Sequence, residues 1–89
     1  MAKKDVKDIT PPKEARISDL GLASYLLARD FDLVRTDGPP NRTEFVFAGV
    51  PEEVIFAFYR GEALVNARKL LAAYRDLKGL LLQQDRRGR

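Results

Sequence analysis

Apolar and polar positions alternate with different periods along this chain, and the periods mark its elements. From Leu20 the residues Leu22, Ala23, Leu26 and Leu27 recur at helical spacing, with Ser18 as N-cap and Asp19 at the positive end of the helix dipole. This first helix is predicted to end near Arg29-Asp30, and its apolar surface is wide enough to be wrapped by other elements. The period then changes to two. Phe31–Asp37 and Arg42–Ala48 read as strands, the second dense in β-formers through Phe45-Val46-Phe47. Gly38-Pro39-Pro40-Asn41 supplies the turn between them. The pairing that gathers apolar residues on one face opposes Leu33 to Phe45 and Phe31 to Phe47, which sends these four toward the core.

Pro51 and Glu52-Glu53 suit the first turn of a helix, and Val54–Tyr59 continue it to Gly61, a natural C-cap. In the last helix Asn66 caps, Val65 staples against Leu70, and Ala67, Leu70, Leu71, Tyr74, Leu77 and Leu81 form the apolar stripe. The linker Glu62–Val65 has the makings of a brief third strand along the hairpin edge. The order α-β-β-α-α specifies an α+β fold, helices packed on an antiparallel β-hairpin. Residues 1–16, with Pro11 and Pro12 and few apolar side chains, read as a flexible N-terminal arm; 17–85 as one domain; 86–89 as a basic tail.

Composition narrows the chemistry. The 89 residues include no Cys and no His, which excludes a disulfide scaffold, a thiol nucleophile, a zinc finger and an imidazole acid–base catalyst. No apolar run approaches the ~20 residues of a membrane span, and the lysines at the start precede no apolar stretch, so a cytoplasmic protein with no membrane contact is expected. Asp30/Asp32 and Glu52/Glu53 are the candidate oxygen ligands for a metal, but no third ligand accompanies either pair. Ser18, Ser24, Thr36 and Thr43 lack a histidine partner, and the six glycines are scattered rather than gathered in a phosphate loop. Neither an enzyme nor a cofactor-binding protein is expected.

The net charge of +3 is unevenly placed. The first sixteen residues and the last four are basic, the latter through Arg86, Arg87 and Arg89, whereas 17–85 carry eight bases against ten acids. Within that acidic body the last helix gathers Arg68, Lys69, Arg75 and Lys78, diluted by Asp76. Four bases over three turns suit a phosphate backbone, with Tyr25, Tyr59 and Arg60 as stacking groups. The same pattern also describes the solvated side of an amphipathic helix.

Residues 17 to about 84 resemble a family of small, uncharacterised α+β proteins from bacteria, archaea and their phages. The resemblance is carried by Asp19-Leu20-x-Leu22-Ala23-x-x-Leu26-Leu27, Phe45-Val46-Phe47, Phe58-Tyr59-x-Gly61-Glu62-x-x-Val65-Asn66-Ala67-Arg68 and Arg75-x-Leu77-Lys78, in that order. It implies a phage or mobile-element setting and brings no catalytic residue. The sequence thus leads to a small non-enzymatic binding module with DNA or RNA as the first expected partner. Its alternative is a protein–protein adaptor or homo-oligomer, a homodimer covering apolar surface that so short a chain leaves over.

Overall fold

A central strand with the sequence Glu-Phe-Val-Phe-Ala organises the molecule. The computed structural model describes residues 13–87 and orders them as strand β1 (Glu14–Ile17), helix α1 (Leu20–Ala28), strand β2 (Asp32–Asp37), a 3-10 turn (Pro40–Arg42), strand β3 (Glu44–Ala48), helix α2 (Glu52–Tyr59) and helix α3 (Ala67–Arg87). The three strands form one antiparallel sheet in the order β1-β3-β2. Flanked on both edges, β3 is the most buried strand, with Phe45, Val46 and Phe47 all inaccessible to solvent. The α+β class expected from the sequence is the observed one.

Three expectations about the sheet need correction. The third strand is β1, not Glu62–Val65, which runs as irregular chain between α2 and α3. Residues 14–16, expected in the arm, pair along β3 with Glu14 opposite Ala48 and Ile17 opposite Phe45; residues 1–12 of that arm lie outside the described residues. The hairpin register also differs. Leu33 opposes Phe47 and Thr36 opposes Phe45, with a bulge at Val34 between Leu33 and Arg35. The 3-10 turn lengthens the connection beyond the four-residue turn, and the bulge swaps the faces of the residues after it. Arg35 therefore points outward and Thr36 inward. The core face expected of Phe45 and Phe47 holds, and Phe31 and Leu33 pack against it half-buried.

The helices lie on that face. Asp19, rather than Ser18, caps α1: its Oδ1 accepts from the backbone N–H of Gly21 at 2.8 Å and of Leu22 at 3.3 Å. Six of the nine residues of α1 are buried, including Leu22, Tyr25 and Leu26, so the helix is wrapped as its composition demands. It ends in a Schellman turn. Asp30 takes φ 68°, its N–H donates to the Leu27 carbonyl at 3.0 Å and that of Phe31 to Leu26 at 3.1 Å. The end of α2 repeats the device: Gly61 at φ 77° lets Glu62 N–H reach the Ala57 carbonyl at 2.9 Å.

Helix α3 docks along α1 through Leu70, Ala73, Leu77, Leu80 and Leu81, with Leu77 fully buried in the core. Asn66 caps it as expected, its Oδ1 accepting from Lys69 N–H at 3.1 Å. The stripe is rotated from the expected one: Ala73 and Leu80 face inward, while Ala67, Leu71 and Tyr74 are exposed. The helix continues through Arg87, so Arg86 and Arg87, expected in the basic tail, belong to its last turn. Among the described residues no helix is long and apolar enough to cross a membrane.

Candidate interaction surface

The outer face of the sheet is closed by its own charges. Arg35 holds Glu14 with two hydrogen bonds of 3.0 Å and reaches Asp37 at 3.2 Å; Arg16 contacts the same Asp37 at 3.1 Å and Glu44 at 2.9 Å. The register sets Arg16 and Arg35 on either side of Val46, and beneath these linked side chains Val46 is fully buried. The hydrogen bonds from Arg35 hold the Glu14 carboxyl below its ordinary value of 4.5. With three acids to two bases, the described residues of this face offer no cationic site. Nothing in the sequence singled out the network, because it joins β1 and β2 across β3.

The opposite side of the molecule is unlike it. Helices α2 and α3 stand beside α1 and leave a groove of about 400 Å³. Tyr25 and Gly21 of α1 form its floor, Phe58 of α2 one wall, Leu70, Leu71 and Tyr74 of α3 the other. The polar groups around the floor are engaged: Ser24 Oγ donates to the Leu20 carbonyl at 2.7 Å, and the Tyr25 hydroxyl accepts from Arg29 Nη1 at 2.6 Å. Tyr25 and Phe58 meet with ring centroids 5.5 Å apart. Around this groove large apolar side chains stand in solvent, Leu64 at 85%, Leu71 at 67% and Tyr59 at 60% exposure; Phe56, on the outer side of α2, and Leu82, near the end of α3 beside Leu20 and Phe45, are exposed away from it. The sequence presents Val54–Tyr59 as a nearly unbroken apolar run in a helix. In fact no residue of α2 is buried, since only Val54, Ile55, Ala57 and Phe58 turn inward and Phe56 and Tyr59 turn out.

The basic residues expected on α3 divide into three groups. Arg68 and Arg75, two turns apart, occupy the centre of the solvent side and make no ion pair among the described residues. Lys78 lies on the flank toward the groove, its Nζ 5.7 Å from the ring centroid of Tyr74. Lys69 lies on the other flank, paired with Asp30 at 3.2 Å. Arg86 and Arg87 fall in the last turn of α3, and Arg89 lies outside the described residues. Of the stacking candidates, Tyr25 is buried, Arg60 pairs with Glu62 at 3.1 Å, and Tyr59 is exposed.

The candidate metal pairs come to little. Asp30 is held by Lys69, and among the described residues no group of three Asp or Glu is placed to hold an ion. Glu52 and Glu53 stand exposed in the first turn of α2, where the helix dipole favours acids. Comparison with protein-family models, with curated proteins and with solved structures finds no match for this chain.

Proposed function

We propose that this chain is a non-enzymatic protein-interaction module, an adaptor or homo-oligomeric unit, working through the α2–α3 side. The observation that carries this reading is the set of apolar side chains left in solvent on α2, α3 and the chain between them: Phe56, Tyr59, Leu64, Leu71 and Leu82. Single exposed leucines are ordinary, but several beside an apolar groove mark a contact surface. Helix α2 adds to this, because an apolar helix with no buried residue is half a packing arrangement.

A second reading, DNA or RNA held by Arg68, Arg75, Lys78 and the arginines 86, 87 and 89, is favoured by the exposure of Arg68 and Arg75, which make no ion pair among the described residues. Leu71 and Leu82 on the same side of α3 weigh against it, since leucines gain nothing from a phosphate backbone.

Titration of labelled duplex DNA and single-stranded RNA at ~50 and ~200 mM salt separates the two. The protein-interaction reading expects no binding at physiological salt tighter than the ~10⁻⁴–10⁻⁶ M of non-specific contacts. Tight binding that falls steeply with salt and disappears in Arg68→Glu/Arg75→Glu makes the nucleic-acid reading the right one.

A further inference from the structure

Two exposed stripes on this chain complement each other residue by residue. On α2, Glu52, Phe56 and Tyr59 follow at intervals of four and three, one line along a helix, and all three are exposed. On α3, Arg75, Leu71 and Arg68, read toward the N-terminus, follow at the same intervals and are exposed as well. Both helices rise ~1.5 Å per residue, so an antiparallel pairing sets Glu52 against Arg75, Phe56 against Leu71 and Tyr59 against Arg68. Each pair is favourable: a carboxylate with a guanidinium, two apolar side chains, and an aromatic ring with a guanidinium. Glu53 and Lys78 add an acid and a base near the same ends. Among the described residues none of Glu52, Glu53, Arg68 and Arg75 has an ion-pair partner.

The stripes cannot meet within one molecule. Val54, Ile55 and Phe58 turn α2 toward the core, and Leu70, Ala73 and Leu77 do the same for α3, so both stripes look away from it. Across two molecules, α3 on α3 sets arginines against arginines, and α2 on α2 leaves the arginines of α3 and the acids of α2 without opposite charges. We infer that the occupant of this surface is a second copy of the chain, with α2 of each copy antiparallel on α3 of the other about a two-fold axis. The inference rests on the protein-interaction reading. The contact is small and half charged, so the dimer is weak and depends on protein concentration.

Sedimentation or light scattering over a concentration series tests it, with two charge-reversed variants, Glu52→Lys/Glu53→Lys and Arg68→Glu/Arg75→Glu. The wild type should pass from monomer to dimer, and each variant alone should raise the dissociation constant about tenfold or more. An equimolar mixture of the two should dimerise better than either alone, because position 52 of each again meets the opposite charge at position 75 of the other. Since lysines at the start of α2 oppose its dipole, Phe56→Ser serves as a second variant: it alters an exposed side chain, keeps the fold, and should weaken the dimer as well. A wild type that stays monomeric throughout, a dimer indifferent to all three variants, or a mixture no better than its parts overturns the inference. If the monomer binds duplex DNA with a steep salt dependence that Arg68→Glu/Arg75→Glu removes, the protein-interaction reading falls too; if it binds none, self-association alone falls.

Discussion

Phe45 and Val46 are neighbours on the central strand and equally hidden from solvent, but what covers them differs. Phe45 belongs to the core with Leu22, Leu26, Phe47 and Leu77; Val46 faces the other way, beneath the ion network of Arg16 and Arg35. Phe45→Ala opens a cavity that α1 and α3 cannot both fill, at a cost of about 3–5 kcal/mol. Val46→Ala removes two carbons, about 1.6 kcal/mol of transfer free energy plus a modest cavity. For 89 residues a total stability of about 4–13 kcal/mol is ordinary, so the first change takes a large share and the second a small one. In a domain of this size 1 kcal/mol moves the melting temperature by roughly 4–8 °C. Thermal melts followed by circular dichroism should show Val46→Ala lower by roughly 6–15 °C, and Phe45→Ala lower by twice that or more, or unfolded at the start. Equal losses, or a greater loss for Val46→Ala, would refute the assignment of Phe45 to the packed side and Val46 to the ionic side.

Other consequences follow from particular contacts. A chain beginning at Ile17 lacks most of β1, and should melt well below one beginning at Lys13, because Glu14–Arg16 complete the ladder on β3. Gly38→Ala should destabilise by about 1–2 kcal/mol or more in urea unfolding: its φ is 88°, and a Cβ there meets the Arg42 carbonyl oxygen at 2.6 Å. The Glu14 carboxyl, held down by Arg35, should titrate below 4.5 in an NMR pH series; its support for the fold is present above the ordinary carboxylate value and is lost as pH falls through the lowered one. Arg35→Gln should return that titration to the ordinary range.

Two helical caps were legible because their signals are local, whereas the first N-cap falls on Asp19 and not on its neighbour Ser18. Asn66 and Gly61 announce their turns within three or four residues, and the structure uses both. The α+β class and the inward pair Phe45 and Phe47 follow from a period-two run rich in aromatics. The sheet's third member did not, since Glu14-Ala15-Arg16-Ile17 is short and half charged, and becomes a strand only through β3, some thirty residues on. Val34 hid the register: a bulge swaps the faces of everything after it, and its sequence carries no mark. On α3 the residues Leu70, Leu71, Tyr74 and Leu77 span a broad arc, and contact with α1 decides which edge goes in. The exposed stripes were therefore invisible until the inner faces of α2 and α3 were known, although the spacing of Glu52, Phe56 and Tyr59 was there to read.

The absence of cysteine allows the central contact to be measured directly, since one introduced thiol is unique in the chain. A nitroxide attached through Arg60→Cys, at the exposed end of α2, is mixed with isotopically labelled chain that carries no nitroxide, so that only contacts between molecules broaden the spectrum. Pairing of α2 with α3 of a second copy predicts broadened amides at residues 67–71, with Arg35 and Val46 on the far face of the sheet untouched. Uniform spectra at high concentration, or broadening centred on the sheet, would contradict it.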